Sequence, residues 1–284
     1  MRAMNIFTTI HSKYNNLTKS EVKVADYILD NAKEVVYMSI TDLADACNVG
    51  ESSIFRFCKS LSYKGYQDFK IALAHSITAE NEIPQLTDKI LMNDTLGQVA
   101  SKVLSSNISA LNETYNLIDH KKMEQAIDYF VQAEKVVFFG VGSSLMTAME
   151  AKIKFMRITN KTECTIDSHL QMMSAALMTK RDVAVIISYS GSTKDTIEVA
   201  MKAKESGATV ISITRFEKSP LTSYSDLTLL CGANEGPLQS GSLSAKISQL
   251  YLLDVLYIEY FKRTYEQSIA NKGQTAESVT VKLL

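Results

Sequence analysis

Apolar residues in the first 80 positions recur at the three- and four-residue steps of a helix. Val22, Ala25, Ile28 and Leu29 make one such stripe, and Thr18 and Ser20 with Glu21 and Lys23 mark its start. Two shorter helical segments and a longer one over 66–77 follow, with no alternating strand pattern among them. The stretch 81–88 (NEIPQLTD) carries the first proline and reads as a linker. Val99, Val103, Ile108, Leu111 and Ile118 then predict one or two amphipathic helices within 91–130.

After Glu134 the pattern changes. Short apolar runs appear at 135–139 (KVVFF), 182–188 (DVAVIIS), 209–214 (TVISIT) and 226–231 (DLTLLC), separated by helical stretches such as 144–156 and 194–206. Runs that are apolar on both faces and alternate with helices predict a parallel sheet with helices on both sides. A helix over 244–263 closes this part, and the tail from Gln267 onward has no readable pattern. The expected layout is an all-α domain at 1–80, a linker and connecting helix at 81–125, an α/β domain at 126–265 and a tail at 266–284.

Composition adds mostly exclusions. With 46% hydrophobic and 21% charged residues among 284, the chain reads as globular and long enough for two cores. The four cysteines, Cys47, Cys58, Cys164 and Cys231, form no CxxC pair and have no histidine at metal-ligand spacing, so thiols packed in a reducing compartment are expected, with no metal or cofactor. The N-terminus lacks the apolar run of a signal peptide, and no stretch nears the ~20 apolar residues of a membrane helix. A cytoplasmic protein is expected. A formal net charge of −1 neither suggests nor excludes a nucleic-acid partner, which needs a local basic face rather than a basic total.

The segment 40–57 (ITDLADACNVGESSIFRF) meets the demands of a helix-turn-helix together. Ala44 is small where two helices touch, Asn48 suits a left-handed turn, and Val49 plugs that turn. Leu43 and Cys47 bury one helix, Ile54 and Phe57 the other. The outer face of the second helix is then expected to present Ser52, Ser53, Phe55, Arg56 and Lys59 to the major groove, where short polar groups reach base edges and basic ones bases or phosphates. Phe55 could touch a thymine methyl or fold back onto the core. Lys64, Tyr66 and Lys70 follow as candidate backbone contacts. The alternative is a plain helical bundle with a solvated polar face. Against it, 56–70 holds four basic residues and one acid, while 1–80 balances nine against nine.

Two Gly/Ser loops lie directly after predicted strands and before predicted helices: FGVGSS at 139–144 and SYSGSTKD at 188–195. Helix N-termini offer unpaired N–H groups and the positive end of a dipole, which favours an anion there. Ser190, Ser192 and Thr193 add hydroxyl donors without bulk and Gly191 permits the tight turn in the second loop; Gly142 is the matching candidate in the first. Neither a full GxGxxG nor a GxxxxGK[ST] run is present, so a nucleotide has little support. Helix capping is the commoner use of such Ser and Thr; two loops of this kind in one sheet domain favour a phosphate.

The 40–57 hairpin followed by YKGYQDFK at 63–70 resembles the DNA-binding domain of RpiR-type regulators. The run DVAVIISYSGSTKD at 182–195 resembles the phosphosugar motif of sugar isomerase (SIS) domains, as does SAKISQL at 244–250. The resemblance covers nearly the whole chain. It implies a three-layer SIS domain that dimerises or assembles further, and a sugar phosphate effector that adjusts binding to a double-stranded operator, away from any membrane. By position it assigns Ser143, Ser144, Ser188, Ser190, Ser192 and Thr193 to the phosphate and adjacent hydroxyls, and it places Asp167-Ser-His169 in a loop where His169 could contact the sugar or lie buried and hydrogen-bonded. The alternative is a sugar-phosphate isomerase or lyase with an accessory helical domain, for which Glu235 and His169 could serve. In isomerase relatives a glutamate precedes an Ala-Ser-Thr-Lys-like run. Here the run is GSLSA at 241–245, without the lysine, and no catalysis is expected.

Overall fold

The computed structural model describes residues 6–78, 90–233 and 243–280. The predicted linker at 81–88, Glu235, and Gly241 and Ser242 of the 241–245 run lie outside the described residues. The chain divides into two compact units, 1–108 with 234–243, and 109–233 with 244–284.

In the first unit, α1 (Ile6–Lys13), α2 (Lys19–Val35), α3 (Ile40–Ala46), α4 (Glu51–Ser60) and α5 (Tyr66–Thr78) surround one apolar core. Two of these helices start with reciprocal capping boxes, Thr18 with Glu21 and Ser39 with Asp42, which satisfy backbone donors that nothing else would reach. The α3–α4 turn follows from one residue. Asn48 sits at φ 52°, Val49 N–H donates to Ala44 O at 2.9 Å, and Asn48 N–H donates to Asp45 O at 3.0 Å. This paired closure is the Schellman ending, which needs a left-handed residue at that step. Thr41 Oγ1 then donates to Glu51 Oε1 at 2.5 Å and ties the start of α3 to the start of α4.

α6 (Leu96–Leu117) follows, opened by Thr95 and Gln98, which bond each other's backbone N–H. The second unit continues with α7 (His120–Gln132), β1 (Lys135–Phe139), α8 (Ser143–Phe155), β2 (Thr162–Cys164), α9 (Ser168–Ala176), β3 (Asp182–Ile187), α10 (Lys194–Glu205), β4 (Thr209–Thr214), β5 (Leu227–Leu230), α11 (Leu243–Arg263) and α12 (Tyr265–Thr280). All five strands are parallel, in the order β2-β1-β3-β4-β5.

Alternation along the strands builds the three layers. Val136, Phe138, Val183, Val185, Ile187, Ile211 and Ile213 face α7, α8 and α11, while Val137, Phe139, Ala184, Ile186 and Val210 face α9 and α10. Phe155 centres the first layer, with ring centroids 5.7 Å from Phe130, 5.9 Å from Phe138 and 5.4 Å from Tyr257. Four elements differ from expectation. The sequence pattern does not announce α1, β2 or α9, and the tail at 266–284 is helical to Thr280. In it Ser268 is buried, and Asn271 Nδ2 donates to Ile158 O at 2.8 Å.

Asn48→Val forces a β-branched residue into the left-handed region and is expected to cost about 1–2 kcal/mol, whereas Asn48→Gly should match or exceed the wild type. Urea melts followed by circular dichroism compare the two; equal losses would remove the turn from its role.

Candidate functional site

The exposed face of α4 carries Ser52, Phe55, Arg56 and Lys59, with Lys64 exposed just beyond it. Phe55 does not fold onto the core: it is 46% exposed, and Lys59 Nζ lies 5.3 Å from its ring centroid. At the far end of α4, Lys13 Nζ donates to Ser60 O at 2.6 Å, a cation on the carbonyl end of the helix that the sequence reading missed. The N-terminus of α4 starts at Gly50 with no side-chain cap, so its first N–H groups stay available to a phosphate.

Three residues expected on this face are inside the unit instead. Ser53 is buried and accepts from Arg56 Nη2 at 3.2 Å, which steers that guanidinium rather than meeting DNA. Tyr66 is buried and its hydroxyl lies 3.3 Å from Val35 O and 3.2 Å from Met38 O. Lys70 is 6% exposed, donates to Met38 O at 3.1 Å and lies 5.0 Å from the Tyr66 ring centroid. Tyr66, Phe69 and Leu73 are all buried, and their spacing sets residue 70 on the same inward stripe, a signal that was available in the sequence. Burial lowers the Lys70 amine from its usual 10.5 to about 8, against a smaller opposing pull from Asp42.

In the second unit the strand order reverses between β1 and β3. β1 leads to α8 and out to β2; β3, on the other side of β1, leads to α10 and on to β4. Open parallel sheets hold ligands at such a reversal, beyond the carboxyl ends of the strands. Both Gly/Ser loops flank it, since Phe139 and Ile186 pair across β1 and β3 just before them. Gly142 (φ 57°) caps α8 and Thr193 caps α10, and neither supplies a side-chain hydrogen bond to its helix.

The glycines are held by lack of room. A Cβ at Gly140 would lie 2.8 Å from Ser144 O, and one at Gly191 (φ 60°) would lie 2.2 Å from Ser219 Oγ. Leu221 N–H donates to Gly191 O at 2.9 Å, and Ser192 N–H donates to Ser190 Oγ at 3.2 Å, which fixes the second loop. Ser188 is buried as its N–H continues the ladder to Ile213 O; Ser190, Ser192 and Thr193 are half-buried, as is Ser144, and Gly142 and Ser143 are exposed.

His169 is neither in a loop nor buried: Asp167 caps α9, and His169 is exposed in its first turn. Gln171, two residues on and buried, donates through Nε2 to Gly140 O and Thr165 O, each at 2.9 Å. That bond anchors the start of α9 to the first Gly/Ser loop; no pattern in the sequence announced it. Among the described residues no three His, Cys, Asp or Glu side chains gather as a metal site, and no helix is long and apolar enough to cross a membrane.

Known proteins match both units. The helix-turn-helix domain of the rpiR family matches residues 4–80 and the SIS domain matches 129–259. An uncharacterized HTH-type transcriptional regulator of Caldanaerobacter subterraneus is 34% identical over 98% of each chain. The HTH-type transcriptional regulator HexR of Pseudomonas aeruginosa is 34% identical, over 89% of this chain and 87% of its own. Among solved structures, the Vibrio vulnificus NanR protein complexed with ManNAc-6P superposes with a TM-score of 0.86 at 31% identity, covering 99% of this chain and all of that one.

The lowered Lys70 amine fixes a pH dependence. The folded state binds fewer protons than the unfolded one between pH about 8 and 10.5, so stability rises across that window; below it the cost of the buried cation is complete. Lys70→Met is expected to flatten that rise in denaturant titrations run at successive pH values, and an unchanged rise would reassign it.

Proposed function

We propose that this chain, which belongs to the rpiR-type helix-turn-helix transcriptional regulators with a SIS domain, reads an operator through α4 and adjusts that binding to a sugar phosphate held between the N-termini of α8 and α10. The observation that carries the sensing half is the pair of Gly/Ser loops, each opening a helix without a side-chain cap, on either side of the strand reversal. Unpaired N–H groups there, with the hydroxyls of Ser143, Ser144, Ser190, Ser192 and Thr193, make a donor-rich seat for a phosphate. The overlap with NanR, solved with ManNAc-6P, supports that ligand class. That His169 opens the helix anchored by Gln171 on Gly140 supports a contact with the sugar end of the ligand.

On the DNA side, Ser52, Phe55 and Arg56 reach base edges, and Lys59 and Lys64 contact phosphates. Two copies pair so that their readers match a two-fold operator. The effector acts by binding one arrangement of the readers better than the other, since a ligand with equal affinity for both shifts nothing. We read the site as a sensor rather than a catalyst, because the 241–245 run lacks the lysine that follows the glutamate in isomerase relatives.

Thermal unfolding of the purified chain across phosphorylated sugars and their free counterparts tests the sensor. A bound effector at a hundredfold over its Kd is expected to add about 2.7 kcal/mol, and the free sugar none. Ser190→Phe should abolish that shift while leaving affinity for an operator selected from a random duplex pool intact; loss of both would end the division of labour. Arg56→Ala is expected to weaken operator binding by about 1–3 kcal/mol, and Lys59→Ala to lower its salt slope by about one. Steady turnover of any sugar phosphate by the purified chain would favour the isomerase reading instead.

A further inference from the structure

Helix α6 follows the helix-turn-helix segment in the chain, and its C-terminal part is gripped at two points in the second unit. At the first, Thr114 Oγ1 donates to Ala110 O at 2.7 Å and accepts from Gly232 N–H at 2.9 Å. Gly232 O in turn accepts from Ser248 Oγ on α11. The approach leaves no slack, because a Cβ at Gly232 would lie 2.5 Å from Glu113 Cγ and 2.8 Å from Thr114 N. At the second point, Arg215 Nη1 donates to Glu113 Oε1 at 3.0 Å, with the arginine side chain 19% exposed.

Both grips lead back to one residue of the second Gly/Ser loop. Tyr189 O accepts from Arg215 N–H at 3.1 Å and from Thr214 Oγ1 at 3.2 Å. The Tyr189 hydroxyl donates to Ala233 O at 2.6 Å, next to Gly232, and the ring packs against Ala110, Ala233 and Ala245. Tyr189 therefore stands between Ser188 and Ser190 at one end and both attachments of α6 at the other.

We propose that Tyr189 is the positioning residue that carries effector occupancy from the 188–193 loop to α6, through its hydroxyl on Ala233. The proposal rests on the reading of that loop as the effector site. A phosphate drawing the Ser190 and Ser192 backbone toward itself moves the Tyr189 ring and hydroxyl, and with them Ala233 and the neighbouring Gly232 that holds Thr114. Because α6 lies against Gly232 with no space to slide, it responds by releasing and re-seating rather than by a graded shift. Coupling between sites needs an element of this kind, whose balance both ends bias.

The test is hydrogen exchange by mass spectrometry on the full chain, read in peptides covering 109–117 and 188–193. Probes are N-acetylmannosamine 6-phosphate, glucose 6-phosphate, fructose 6-phosphate and inorganic phosphate. In the wild type, a probe that slows exchange in 188–193 is expected to change exchange in 109–117 by about fivefold or more, the low end of ordinary coupling. Tyr189→Phe keeps the ring and should keep the loop response while losing that of 109–117. Thr114→Val, at the other end of the path, should give the same pattern. A 109–117 response that persists in Tyr189→Phe, or a wild-type loop response with none in 109–117, overturns the proposal. If no probe protects 188–193, the effector reading fails, and the path is decided without ligand by Gly191→Ala, whose Cβ displaces the loop. That change should speed exchange in 109–117 in the wild-type background and not with Tyr189→Phe; equal acceleration in both overturns the coupling.

Discussion

The reversal of strand order between β1 and β3 is the constraint on which the second unit depends. Because β1 sends its chain to one side and β3 to the other, α8 and α10 leave the sheet edge on opposite faces, packed in separate apolar layers. No crossover then covers the gap between their first turns. The tight backbone at Gly140 and Gly191 follows from the same geometry, since each loop must turn from a buried strand into a helix within a few residues. Even α9 is set by it, through the bond from Gln171 to Gly140.

The first unit obeys a different rule, in which fixed helix ends set the exposed face. Capping boxes start α2 and α3, a left-handed Asn48 turns the chain, and Lys13 closes the carbonyl end of α4. With the ends fixed, Phe55, Arg56 and Lys59 project outward from a helix that cannot rotate without breaking Thr41 to Glu51. The charge balance hides a division of labour among its cations. Lys59 and Lys64 remain in solvent, while Lys70 is sacrificed to the packing around Met38.

What could be read in advance follows from burial on two faces. β1, β3 and β4 are apolar on both sides, so their runs stand out, and α4 announces itself because Ile54 and Phe57 must both point inward. β2 escaped notice because Thr-Glu-Cys at a sheet edge is short and mostly polar. α9 did so for the opposite reason: its Leu170 and Met173, and Leu177 just after it, face outward while Gln171 is buried, an inversion of the usual pattern. The eight loop residues were legible from glycine and serine spacing and from the family resemblance, and the structure brings them to one edge of the sheet. The errors over Ser53, Tyr66 and Lys70 came from reading residue type ahead of position, since a lysine four residues from a buried tyrosine shares its face. Glycine at 232 gave no hint of its importance, because only the arrival of α6 removes the space for a side chain there.

The two Gly/Ser loops present hydroxyls and backbone amides and not a single charged side chain between 140 and 144 or 188 and 193. A seat of this composition attracts through fixed dipoles, whose reach is short, rather than through a net charge that salt would screen at a distance. Selectivity then falls to the guest. On the proposed reading the guest is a phosphate monoester, which gains its second negative charge near pH 6, so acidification would loosen it by changing the guest, while these loops stay as they are.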